Sequence, residues 1–183
     1  MTNSPPVHSH YVTSIDEIVW GSLLVALTLV IHGFGMIWTL RISNALKRRF
    51  EPDPSFLAGI TILILTTWII TFVHIAEIMV WAAFFQWKDC FHNYSEAAYF
   101  AFMDYTTVGS EYNLPQDWRM LEGMIATAGL MGFAWSTGVL LTLAQEFQEQ
   151  QLGQLKKRDE KRRAKFVPPR EKHSPGSAPT TPS

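Results

Sequence analysis

One cysteine, Cys90, in 183 residues excludes an intrachain disulfide scaffold and a thiolate metal cluster. Eleven glycines and ten prolines are too few for a collagen-like chain. Charge is sparse and balanced, 15 Lys and Arg against 16 Asp and Glu, so no general field attracts nucleic acid. The sequence has no Gly-rich phosphate loop, no nucleophile elbow and no Arg-rich helix of the voltage-sensor kind. It also has no internal repeat of solenoid or inverted-repeat length. Catalysis is therefore not expected, and no nucleic-acid partner.

What is present is apolar sequence, unevenly distributed. From Ile18 to Leu40 there are 23 residues without Asp, Glu, Lys or Arg, 16 of them apolar, whereas the 39 residues from Gln145 to Ser183 hold only seven apolar ones. A spanning helix needs roughly 20 mostly apolar residues, and three windows qualify: 18–40, about 56–85 and 123–144. The expected fold is an all-α membrane protein with three transmembrane helices. The first window is no cleaved signal, because no Lys or Arg precedes it and its apolar run exceeds a signal core of about 7 to 15 residues.

Basic residues set the orientation. Four (Arg41, Lys47, Arg48, Arg49) lie between spans one and two, nine lie after span three, and only Lys88 and Arg119 lie elsewhere. An outside N-terminus (1–17), a cytoplasmic loop (41–55) and a cytoplasmic C-terminus satisfy this pattern. The segment from Lys88 to Glu122 then faces outward with a local charge of -4, attractive to cations. Trp20 and Trp38 suit the two ends of span one, and Trp81, Trp87 and Trp118 suit the outer interface. Span two is overlong, so it either tilts or continues above the bilayer through Trp87. Residues 145–166 are expected to continue as a polar cytoplasmic helix, its basic cluster solvated or on lipid, and 167–183 to form a disordered Pro-rich tail.

The stretch Tyr94 to Asp117, YSEAAYFAFMDYTTVGSEYNLPQD, is too apolar for an ordinary exterior loop. Ser95 can cap a helix from Glu96 to Tyr105, too short to span and suited to one that enters the membrane halfway. Thr106, Thr107, Val108 and Gly109 then end the helix and favour extended backbone. Such backbone is tolerated at membrane depth only where it lines a water-filled path or is buried in protein. Asp104, a carboxylate at the negative end of that helix, is expected to be hydrogen-bonded behind the loop or paired locally.

A short helix ending in Thr106-Thr107-Val108-Gly109, outside and between the last two spans, resembles the pore loop of potassium channels. Trp118-Arg119 and Trp135-Ser136-Thr137 are similar to the pore-lining helix of small bacterial channels of the two-span-plus-pore-loop family. The resemblance covers residues 56–144, roughly half of the chain. It implies a re-entrant pore helix containing Ser95 and Asp104, and a filter of Thr106, Thr107, Val108, Gly109, Ser110 and Glu111. Carbonyl oxygens from several copies would replace the water shell of a permeating cation. It further implies a homotetramer in the bilayer of a bacterial inner membrane, passing monovalent cations with K+ as the default ion and no cofactor. An inner-helix Gly would flex, with Gly129, Gly132 and Gly138 as candidates beside the alternative of close packing. The sequence departs where the family reads TVGYG: Ser110 replaces Tyr and Glu111 replaces the second Gly. That removes a packing brace, which Tyr112 could partly replace, and puts strict K+ selectivity in question. Glu111 then forms a carboxylate ring at the mouth, turns to bulk water, or pairs with Arg119.

His74 and Glu77 are three apart in span two and share a helical face, with His32 of span one at a depth to meet them. This trio, with Glu122 as a further ligand, suggests a rival reading as a membrane metalloprotein or enzyme; a hydrogen-bonded pair locking spans one and two is the simpler account, and a proton-sensing or gating role is the other. A non-conducting channel-like subunit is the remaining alternative. Cys90 is read as a free thiol or an inter-chain link.

Overall fold

The computed structural model describes residues 13–50 and 56–166, which fold as helices α1 (Ile15–Phe50), α2 (Phe56–Trp87), α3 (Tyr94–Tyr105) and α4 (Leu121–Phe166), with a 3-10 turn at Gln116–Trp118. Three of them, α1, α2 and α4, are long and apolar enough to cross a membrane. The chain is a membrane protein. The expected disordered tail, 167–183, and most of the N-terminal segment lie outside the described residues.

Helix α1 runs past both ends of the expected span. It starts where the Ser14 hydroxyl accepts the Glu17 N–H at 3.1 Å, and its last turn carries Lys47, Arg48 and Arg49. Asp16 and Glu17 at one end and those cations at the other both suit the helix dipole. The expected loop from 41 is thus helical through Phe50, because nothing in Arg41–Arg49 breaks a helix, and 51–55 lies outside the described residues. Span two is a single helix from Phe56 through Trp87. Threonines in the spans (Thr28, Thr39, Thr66, Thr137) donate their hydroxyls to the carbonyl four residues back, which satisfies them in lipid.

Asn93, not Ser95, caps α3. Its Oδ1 accepts the Glu96 N–H at 2.8 Å and its Nδ2 donates to the Glu96 carboxylate at 2.9 Å, a reciprocal box with Glu three residues on. Ser95 therefore sits inside the first turn. One face of α3, Ala97, Phe100, Ala101 and Tyr105, is fully buried against Trp81, Phe85, Leu121, Ile125 and Ala128, while Tyr99 and Phe102 stay exposed. Trp81 departs from its interfacial assignment: it is completely buried, its Nε1 donating to the Thr28 hydroxyl at 2.9 Å across α1 and α2. Trp20, Trp87 and Trp118 gather around the Lys88 ammonium, their rings 4.7, 4.2 and 5.3 Å from it.

Helix α1 is closely docked. The Glu17 carboxylate accepts the Met120 N–H before α4, a Cβ at Gly21 would meet Met124 Sδ at 1.9 Å, and one at Gly35 would meet Val73 at 2.7 Å. Residues 146–166 form a separate unit, a polar helical stretch whose residues Lys156 to Lys165 are all exposed, as a solvated helix requires.

Candidate functional site

The loop after α3 is a helix terminator that consumes its own donors. Thr107 takes φ +62°, its N–H donates to Asp104 O at 3.0 Å, and the Val108 N–H reaches back to Met103 O at 3.0 Å. That pairing is the Schellman pattern, here with a β-branched residue in the left-handed position that glycine usually takes. Gly109, φ +82°, donates to the same Met103 oxygen at 3.2 Å. Thr106 is near-helical and its hydroxyl bonds Phe102 O at 2.9 Å, so the backbone expected to be extended from Thr106 is instead tightly turned. The turn wins because it satisfies the final N–H groups locally.

The consequence is chemical asymmetry. The N–H groups of Thr107, Val108 and Gly109 are all engaged, while among the described residues no hydrogen bond reaches their carbonyl oxygens. All three residues are exposed, Val108 by 70%. Next, Ser110 Oγ accepts the Tyr112 N–H at 2.9 Å and donates to Tyr112 O at 3.1 Å. This sets the Tyr112 ring edge-on to Tyr99 and Phe91, at 6.1 and 6.3 Å, where a brace against α3 was expected from it. Glu111 is exposed, and Asp104 differs from expectation: its Oδ2 is buried without a hydrogen-bond partner among the described residues.

Directly before the loop lies a closed polar ring. Glu77 Oε2 accepts the Tyr105 hydroxyl, the Tyr105 hydroxyl oxygen meets His74 Nδ1 at 2.9 Å, and His74 Nε2 meets Ser136 Oγ at 3.0 Å. Ser136 Oγ meets His32 Nε2 at 3.3 Å, and His32 Nδ1 returns to Glu77 Oε1 at 2.9 Å. All four helices contribute. The expected meeting of His32, His74 and Glu77 is therefore present, with donor atoms within 4.8 Å of one another, while Glu122 is elsewhere, accepting the Leu114 N–H at 3.0 Å. Each nitrogen and carboxylate oxygen that a metal would need is already hydrogen-bonded.

Tyr105 and Ser136 are the members that sequence reasoning missed as partners. Their signals were a phenol on the apolar face of α3 and a small-residue row, Gly129, Gly132 and Ser136, on α4. A Cβ at Gly129 would stand 2.0 Å from Tyr105 O, and one at Gly132 would stand 3.0 Å from the Tyr105 hydroxyl and 3.2 Å from His74. These two glycines serve close approach, whereas Gly138 faces open space and is the only hinge candidate without such a contact.

Residues 60–146 match the family model of an ion channel. This segment is similar to that family. The matched segment takes in most of α2, all of α3, the turned loop and α4 up to its polar stretch, leaving α1 outside although α1 supplies His32 to the ring. No curated protein and no solved structure matches the chain significantly.

In the loop between α2 and α3, burial and then the Asp89 charge push the Cys90 thiol up to about 11. The thiolate is the reactive form, so at neutral pH alkylation of Cys90 by iodoacetamide is expected to be about a hundredfold slower than that of a free peptide cysteine. Mass spectrometry checks this, and an inter-chain disulfide on a non-reducing gel would contradict it.

Proposed function

We propose that the protein is a homotetrameric channel in which Thr107, Val108 and Gly109 of four copies turn their free carbonyl oxygens to a common axis and pass monovalent cations passively, K+ by default. The observation that carries this reading is the loop's polarity: donors folded inward, acceptors unbonded, on exposed backbone at the end of a short helix. Cations lose hydration water only where such oxygens replace it. One chain supplies one wall, and the windows of the three spans are less than a third buried within it, which leaves apolar surface for other copies as well as lipid. Helix α3 then dips into the bilayer from outside with its negative end inward. The N-terminus lies outside and the C-terminus in the cytoplasm of a bacterial inner membrane, following the basic residues of 41–49 and 156–172.

Ser110 and Glu111 in place of Tyr and Gly shorten the stack of carbonyls, so discrimination between K+ and Na+ is expected to be weak, with Glu111 concentrating cations at the mouth. The same replacement supports a second reading, a non-conducting channel-like subunit, which predicts tetramers without flux. The test is K+ and Na+ uptake into liposomes carrying the purified protein. Barium-sensitive uptake is expected, and Gly109→Val is expected to abolish it: a Cβ added there would meet nothing within 4 Å, so the variant acts by forcing a β-branched residue into positive φ. Equal uptake by parent and variant would remove the filter assignment.

A further inference from the structure

The polar ring has a proton count that its geometry fixes. Tyr105 has one hydroxyl hydrogen and gives it to Glu77, so the Tyr105 oxygen must accept from His74 Nδ1–H. His74, neutral, then presents a lone pair at Nε2, and the Ser136 hydroxyl donates to it. Ser136 Oγ is left as an acceptor for His32 Nε2–H. The last link, His32 to Glu77, closes in either of two ways: an imidazolium donating to the carboxylate, or a protonated carboxyl donating to a neutral imidazole. Both forms place one hydrogen on each of the five links, and both are neutral overall.

Removing one proton breaks that count. Glu77 is then a carboxylate, both imidazoles are neutral, and His32 must spend its one hydrogen on Glu77. Four hydrogens then serve five links, and the longest of them, Ser136 Oγ to His32 Nε2 at 3.3 Å, is the one whose loss costs least. An uncompensated negative charge and an unmade hydrogen bond now share a dry site, since His32 and Glu77 are fully buried.

We propose that Glu77, Tyr105, His74, Ser136 and His32 form an intramembrane proton-binding site that, when occupied, ties α1 and α4 to the root of the filter loop. Loss of the proton opens the Ser136–His32 link, the one link that joins α1 directly to α4 within the ring. Tyr105 immediately precedes Thr106, so the closed ring fixes the point from which the carbonyl-bearing loop hangs. The closed form is the conducting one. Among the described residues the titratable groups facing one another here are His32 from α1, His74 and Glu77 from α2 and Tyr105 from α3. Helix α4 brings Ser136, Gly129, Gly132 and the Phe133 and Trp135 rings, none of them titratable. The effect on conduction rests on the channel reading, whereas the proton site does not.

Glu77→Gln is the discriminating variant. Its amide can donate to His32 Nδ1 and accept from Tyr105, closing the same circle without an ionisable carboxyl. Cation uptake by the parent is expected to fall about tenfold from mildly acid to mildly alkaline pH, that of Glu77→Gln to stay at the acid level, and that of Ser136→Ala to stay at the alkaline level. Infrared pH-difference spectra of the protein in vesicles read the proton directly: one carboxyl–imidazole transition per chain in the parent, none in Glu77→Gln. Should the Gln variant fail to assemble, Ser136→Ala serves, because removing a link that favours the proton-bound form moves the transition to lower pH by about one unit. An infrared transition without uptake in any protein upholds the proton site and sinks the channel reading. No transition, an identical one in Glu77→Gln, or a stoichiometric transition metal in the purified protein overturns the site, and parental uptake indifferent to pH overturns its coupling to conduction.

Discussion

Gly129→Ala is expected to destabilise the detergent-solubilised protein by about 3 kcal/mol, the upper end for overpacking, and to abolish cation uptake. Gly138→Ala should leave uptake at the parental value and raise stability by up to about 1 kcal/mol. The new methyl carbon at Gly129 would lie 2.0 Å from the Tyr105 carbonyl oxygen, a backbone atom at the last residue of α3 that no side-chain rotation can move aside. Either α4 retreats, opening the Gly132 contact with the Tyr105 hydroxyl and His74, or α3 shifts and carries the loop of Thr106 to Gly109 with it. At Gly138 a methyl group meets nothing within 4 Å, and alanine favours helix by about 1 kcal/mol over glycine. Thermal unfolding and liposome uptake measured on the same preparations check the pair. Parental stability for Gly129→Ala would mean that α3 and α4 are not in contact at this point.

Much of this arrangement is legible in the sequence because hydrocarbon imposes a coarse rule. Length and the absence of charge mark α1, α2 and α4, and the i, i+3 spacing puts His74 and Glu77 on one face of α2. Helix ends are less legible, since Arg41–Arg49 carries charges that end an apolar span without ending a helix. Asn93 and Ser95 are both good caps, and only the partner three residues on, Glu96, distinguishes them. The loop is harder still: Thr106 to Gly109 read as strand-formers, yet the need to satisfy terminal N–H groups turns them back onto Asp104 and Met103. The ring is legible only by halves. Histidine and glutamate inside a span announce themselves, but the Tyr105 link to Glu77 crosses 28 positions and the Ser136 link to His32 crosses 104. No local periodicity encodes such pairings.

Glu77→Ala is expected to cost about 3 to 5 kcal/mol, the range for removing one partner of a buried charged pair. Both carboxylate oxygens are used: Oε1 faces His32 and Oε2 takes the Tyr105 hydroxyl, and neither donor has water to turn to. Alanine leaves Tyr105 and His32 unsatisfied together and opens a void between α1 and α3, so cavity and desolvation costs add. Glutamine keeps both contacts, and Glu77→Gln is therefore expected to retain most of the stability that Glu77→Ala loses. A double-mutant cycle with His32→Ala separates the two contributions: if the ring is one unit, the second substitution costs far less in the Glu77→Ala background than in the parent, with a coupling of about 1 to 3 kcal/mol. Unfolding of the four proteins in the same micelles gives that coupling. Strict additivity would show that α1 is held by Trp81, Thr28 and its glycine contacts alone, and that His32 contributes to the ring without anchoring it.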